Sequence, residues 1–406
     1  MPAKPISEPA EATKVSVSPE IEPIQKSVPE AVEDVAIQEP LILLNNEVEP
    51  GTSTRLGWTP GASFIGIAAP TAVLAINGVS PGPTLCLTAA VHGDELNGVE
   101  IVRRLLYDID PEKLSGEIIG VPIVNLQGFR RGSRYLPDRR DLNRFFPGNP
   151  EGSSASRIAF SFFSEIVSSC DMLIDLHTGS FRRTNLPQLR ADLNYPEVAK
   201  LAEKMGAIVV VQSEGAPGSL RRAAVEAGIP AVTLEAGAPH ELDKAAIEHG
   251  VKSIESALDS LSMIKRRRFW EREAEPIYYE SSWVRAKDGG ILFSEVVLGA
   301  SVLEGDLLGT VTDPITNRHS EIRAPFAGQI IGMALNQVMF PGFAAYHLGH
   351  MPAPGNESVH VPAPLENGAV SNGVNAPATN VGDHGADDSD PSNEISLDML
   401  PIEDSE

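Results

Sequence analysis

Residues 84–106 read TLCLTAAVHGDELNGVEIVRRLL. The first part, Thr84–Ala90, is a continuous apolar run of strand length, the pattern of a strand buried on both faces. The second part changes period: Leu96, Val99, Val102, Leu105 and Leu106 recur at helical spacing. His92-Gly93-Asp94-Glu95 lies between them, at the turn from strand to helix. Open α/β sheets place their ligands at such carboxyl ends of strands.

The same alternation continues outward. Residues 118–124, 172–176, 208–211 and 231–234 read as further buried strands. Residues 158–167, 198–205, 220–227 and 242–264 carry helical periods. This predicts an α/β domain with a mostly parallel twisted sheet covered by helices on both faces. After about residue 275 the helical periods stop, and turn glycines such as Gly289, Gly290, Gly299 and Gly305 divide short strand-like runs, so an all-β region is expected there. The predicted division is a disordered N-terminal extension (1–50), a catalytic domain (51–270), a β-rich domain (271–350) and a disordered tail (351–406).

Charge supports that division. The net charge of −23 on 406 residues is concentrated at the ends: residues 1–50 carry −7 and residues 352–406 carry −11, which leaves −5 for the body. A nearly balanced body argues against nucleic acid as a partner, because phosphate contacts need Lys and Arg. The tails cannot bury enough apolar surface to offset ordering. An apolar cluster near the end (Ile395, Leu397, Met399, Leu400, Ile402) offers a peptide for an unknown protein partner, against the plainer role of a solubilising tail. With 42% apolar residues the chain can build a large core. Its two cysteines, Cys86 and Cys170, lie in core-like segments and suggest no disulfide framework, so a reducing compartment is expected. No basic segment followed by an apolar one opens the chain, and no apolar run approaches membrane-spanning length. The expectation is a soluble, cytoplasmic protein without a membrane partner.

His92 and Glu95 suit one metal ion, since zinc takes imidazole nitrogen and carboxylate oxygen. The spacing alone is weak evidence. It gains weight from His177, which follows the buried run Met172–Leu176 and so reaches the same edge of the sheet. A lone histidine at a strand end is usually just a polar residue. Two imidazoles and one carboxylate converging on one edge match a known catalytic zinc combination. Asp175, two residues earlier, would either orient a ligating imidazole or cap local backbone. Glu235 ends a third buried run, in Thr233-Leu234-Glu235-Ala236-Gly237. A salt-bridged structural role is the plain reading there. Beside the three ligands it reads as the base that takes a proton from metal-activated water and returns it to the leaving amine. Six arginines (130, 131, 134, 139, 140 and 144) crowd residues 129–144. Most read as surface charge. Asn143 and Arg144, in the apolar, turn-bounded context of Asp141–Gly148, stand out as held groups for an anionic substrate, such as an amino-acid carboxylate or a dicarboxylic acyl group.

Four ordered motifs, HGDELNG at 92–98, DLNR at 141–144, DLHTG at 175–179 and TLEAG at 233–237, resemble the succinylglutamate desuccinylase/aspartoacylase family of zinc carboxypeptidase-like deacylases. The resemblance runs from about residue 80 to 345. It implies His92, Glu95 and His177 as ligands of one zinc ion, and Glu235 as general base and acid. It implies Asn143 and Arg144 on the substrate carboxylate, with Arg144 also near the oxyanion. A further family arginine has its nearest match in Arg134, with Arg139 and Arg140 as competitors. The stretch EIRAPFAGQIIG at 321–332 resembles a strand pair of a lipoyl- or biotinyl-type barrel sandwich without an evident modifiable lysine. That implies a lid, a pocket rim or an oligomer contact. The function implied is release of an acyl group from a small N-acyl amino acid or related anionic amide. The alternatives are a carboxypeptidase-like or ester-cleaving enzyme, and a zinc-binding interaction protein without catalysis.

Overall fold

Four apolar runs become the centre of one sheet. In spatial order Ser115–Val121, Ser80–Ala89, Met172–His177 and Ala231–Gly237 lie parallel to one another. Their side chains are buried on both faces, which is why they lack polar alternation. The structure, a computed structural model, describes residues 38–60, 69–265 and 275–350.

The whole sheet is mixed, which corrects the expectation of a mostly parallel one. Thr71–Asn77 and Thr52–Trp58 extend one side antiparallel, and Arg183–Ala191 joins the other side antiparallel to Ala231–Gly237. The physical reason is connection length. Only residues 178–182 separate Met172–His177 from Arg183–Ala191, too few for the crossover that a parallel return requires. Arg183–Ala191 then takes Val209–Gln212 as a parallel neighbour.

Helices Asn97–Asp108 and Lys244–Ser260 pack against each other and against the central strands. Caps rather than periodicity set the helix starts. Ser153 caps Ser154–Glu165, Ser219 caps Leu220–Glu226, and the Asp243 carboxylate accepts from the N–H groups of Ala245 and Ala246.

Two expectations change. Residues 41–43 and 46–48 form a hairpin whose Leu41, Leu43 and Val48 join the main core, tied down by Asn77 donating to the carbonyls of Glu39 and Val48. Order therefore begins before residue 51. The expectations for residues 1–37 and 351–406 lie outside the described residues. Cys86 and Cys170 form a disulfide that ties Ser80–Ala89 to the approach of Met172–His177, so the argument for a reducing compartment from unpaired cysteines falls away. The pairing was invisible because 84 residues separate the two.

Residues 275–350 build two antiparallel layers. Ser281–Arg285, Ala344–His350 and Gly328–Ala334 continue the main sheet. His319–Arg323, Leu307–Thr312, Gly290–Ser294 and Val338–Met339 form a second sheet. Leu292, Leu308, Ile330 and Leu348 share a core between them, as in a β-sandwich. Among the described residues, no helix is long and apolar enough to cross a membrane.

Candidate active site

The carboxyl ends of the parallel strands bring the candidate ligands together. His92 and Glu95 sit in the turn after Ser80–Ala89, and His177 ends its own strand. Gly93 permits that turn: a Cβ there would lie 2.1 Å from the backbone of Gly128 and Phe129, so only glycine allows the close approach. The ligand atoms of His92, Glu95 and His177 all lie within 4.8 Å of one another, and all three residues are buried. His92 Nδ1 is 2.8 Å from one Glu95 oxygen, and His177 Nδ1 is 2.8 Å from the other. The two Nδ1 atoms are 3.1 Å apart.

Each imidazole is held from behind by a carboxylate. His177 Nε2 meets Asp175 Oδ2 at 2.8 Å, and Thr88 Oγ1 donates to the other Asp175 oxygen at 2.7 Å. His92 Nε2 meets Asp141 Oδ1 at 3.1 Å. This is how ligating histidines are oriented at metal sites, with one nitrogen turned to the ion and the other to a carboxylate. Arg134 closes the group, with Nη1 3.3 Å from Glu95 and Nη2 3.0 Å from Asp141.

Burial works against every charge here, and close partners overcome it. For His177, burial lowers the pKa, but Asp175 and Glu95 carry it well above the usual histidine range. His92 is also raised: burial and Arg134 oppose, while Glu95 and Asp141 prevail. Glu95 is held low against its burial by His92 and His177, and Asp141 against its burial by Arg134 and His92. Two imidazoles and a buried carboxylate that face one another, each with a further charged partner behind it, form the donor set of a cation site.

The cleft in front of this cluster is lined by Arg134, Asn143, Arg144, Thr178, Ser180, Arg190, Ser219, Arg221, Thr233 and Glu235, among others. Glu235 lies directly opposite His177 in the strand pairing. Its Oε2 accepts from Asn185 Nδ2 at 3.2 Å, and its Oε1 lies 3.4 Å from Arg190 Nε. The Asp141 carboxylate caps the turn Leu142–Arg144 by accepting from the N–H of Asn143. Asn143 Oδ1 accepts from the N–H of Leu220 at 2.8 Å, and Arg144 Nη1 donates to the carbonyl of Asn143. Arg144 keeps 29% of its side chain open to solvent, at the mouth of the cleft. Of the arginines considered at the third position, Arg134 lines the cleft and Arg139 and Arg140 do not.

Asp141, Asn185, Arg190 and Arg221 were not singled out from sequence. Asp141 opens DLNR at 141–144, so the sequence carries a signal for it. Arg190 and Asn185 belong to RTNLPQLRA at 183–191, where Pro187 and mixed polarity conceal a buried strand. The residues that line the cleft come from 92–235.

The model of the succinylglutamate desuccinylase/aspartoacylase catalytic domain matches residues 81–261. Over 99 residues the chain is 39% identical to N-alpha-acetyl-L-2,4-diaminobutyric acid deacetylase of Halomonas elongata, which is 24% of this chain and 29% of that protein. Over 107 residues it is 36% identical to succinylglutamate desuccinylase of Pseudomonas fluorescens strain Pf-5, 24% of this chain and 31% of that one. The matched stretches thus span less than a third of these relatives' lengths. A solved structure, the product-bound ectoine utilization protein EutE (DoeB) of Ruegeria pomeroyi, has a TM-score of 0.67 at 25% identity, covering 79% of this chain and 100% of that one.

Proposed function

We propose that the protein is a zinc-dependent deacylase that hydrolyses the amide bond of a small N-acyl amino acid, a reading supported by the match of residues 81–261 to the succinylglutamate desuccinylase/aspartoacylase catalytic-domain model. The observation that carries this reading is the convergence of His92, Glu95 and His177 within 4.8 Å, with Glu235 on the adjacent strand. The donor set fits zinc: two imidazoles, each backed by a carboxylate, and one buried carboxylate. Zinc held by these three residues would lower the pKa of water towards 7 and polarise the scissile carbonyl.

The remaining work falls to the chain's own groups. Glu235 accepts the proton of the attacking water and delivers it to the departing amine nitrogen. Asn143 and Arg144, with Arg134 beside them, hold the substrate carboxylate so that the amide lies in attack geometry. Arg144 also faces the negative charge that develops on the carbonyl oxygen. The arginine-lined cleft favours an anionic substrate, and the names of the two curated relatives point to N-acyl amino acids.

The test is release of free amino acid from a panel of N-acetyl and N-succinyl amino acids, dipeptides and esters, with and without a chelator. Turnover of the N-acyl amino acids, lost with chelator, is expected. Glu235→Gln should lower kcat by about 10²–10⁴-fold, the usual contribution of general acid–base catalysis, while bound metal stays unchanged. Turnover confined to dipeptides or esters would move the assignment to the other hydrolase readings. Bound zinc without turnover on any substrate would favour the non-catalytic one.

A further inference from the structure

The C-terminal region reaches the site through strand pairing. Its strand Gly328–Ala334 runs antiparallel to Arg183–Ala191, with Gly332 opposite Asn185. On its other side Arg183–Ala191 pairs with Ala231–Gly237, and the register shifts: Glu235 faces Gln188, while Gly237 faces Asn185. Arg183–Ala191 therefore carries one extra residue in this interval, at Leu186–Pro187. Such bulges re-aim side chains next to active sites. Here the bulge lets buried Asn185 donate from Nδ2 to Glu235 Oε2 at 3.2 Å.

The other end of the same amide lies against the C-terminal strand. A Cβ built on Gly332 would fall 2.6 Å from Asn185 Oδ1, while the next nearest atom, His347 Cβ, would be 3.3 Å away. The atom in the way is the tip of a side chain, so an alanine there can be accommodated by turning Asn185. That turn removes the donor from Glu235. The pairing is fixed a few residues on, where Leu335 N–H and Gln337 Nε2 both donate to the carbonyl of Arg182, at 2.9 and 3.0 Å.

We propose that Asn185 is a positioning residue for Glu235, and that the C-terminal region acts on the reaction by seating Asn185 against Gly332. Asn185 does not line the cleft, so it acts through Glu235 and not on substrate. The inference rests on the hydrolase reading for its effect on turnover, but the contact itself does not.

The experiment is a double-mutant cycle of Asn185→Ala and Gly332→Ala in the full, zinc-loaded chain, reading kcat, KM, metal content and the crystal structure of the Gly332→Ala variant. Misplacing a reacting group by about 1 Å costs up to about a hundred-fold, so each single variant is expected to lose about ten- to a hundred-fold in kcat with KM and metal content preserved. The double variant should be no worse than Asn185→Ala alone, because alanine at 185 removes the atom that Gly332→Ala would strike. The Gly332→Ala crystal structure should show Asn185 turned away from Glu235. Full kcat in Gly332→Ala, multiplied losses in the double variant, or losses carried by KM or metal content would each overturn the proposal. Should the wild-type chain turn over no substrate, the hydrolase reading fails by itself. The crystal structure still decides the contact: an Asn185–Glu235 bond that survives alanine at 332 overturns it.

Discussion

Replacing Asp141 by asparagine removes one charge and leaves the shape. The residue is only 8% exposed. One of its oxygens meets His92 Nε2 at 3.1 Å and accepts from the N–H of Asn143 at 2.9 Å, while the other accepts from Arg134 Nη2 at 3.0 Å. An amide offers one oxygen for these partners and turns an NH2 group towards a donor. A hydrogen bond to a charged group contributes about 1.5–3 kcal/mol. Loss of a carboxylate behind a ligating imidazole typically weakens metal binding about 10–100-fold, or about 1.4–2.7 kcal/mol. The two ranges overlap, so zinc affinity should fall by one to two powers of ten. Competition against a chromophoric chelator at neutral pH measures it. Asp138→Asn is the control: that side chain is 38% exposed and its ion pair with Arg140 is long, at 3.9 Å, so affinity should not change. Asp141→Asn binding zinc within two-fold of wild type would refute the argument that Asp141 orients His92.

Two further outcomes follow from burial and connectivity. In the metal-free protein His177 and His92 have raised pKa values, so the folded chain holds more protons than the unfolded one above the usual histidine range. Their contribution to stability is complete below about pH 6.5 and is lost as pH rises through the raised values, so the metal-free melting temperature should fall from about pH 6.5 upward while the zinc-loaded protein holds. Glu95 and Asp141, held low, act at the other end: their contribution persists through the ordinary carboxylate range and is lost as pH falls below it. A flat metal-free profile from pH 6 to 9, read by calorimetry, would contradict the first of these. The Cys86–Cys170 bond closes a loop of 84 residues, for which loop closure gives about 4.5 kcal/mol of stabilisation. Denaturant unfolding of the Cys86→Ala/Cys170→Ala variant should show a lower midpoint, and an unchanged midpoint would show that the bond contributes nothing.

Sequence periodicity located the parallel centre of the sheet because strands buried on both faces leave long apolar runs, as at 84–90 and 231–234. It did not locate the antiparallel strands Thr52–Trp58, Thr71–Asn77 and Arg183–Ala191. Arg183–Ala191 mixes Arg, Asn, Pro and Gln because its side chains meet a cleft and the C-terminal strands instead of an apolar layer. The candidate ligands were legible for a local reason: His92 and Glu95 lie in the turn after one apolar run and His177 ends another, and chain direction places them on one edge. Asn185 and Arg190 were hidden because their partner Glu235 lies 50 and 45 residues away and a bulge resets which face they take. The cysteine pairing was hidden in the same way, since only the sheet order brings the two together.

The proposed deacylase needs zinc held by His92, Glu95 and His177. Anomalous diffraction at the zinc edge, on crystals of the metal-loaded protein, tests it most directly. A single strong peak is expected, bonded to the two Nδ1 atoms and the Glu95 carboxylate at about 2.0–2.2 Å, with a coordination position left open towards Glu235. A peak elsewhere on the chain, or a closed site with four protein ligands, would contradict it.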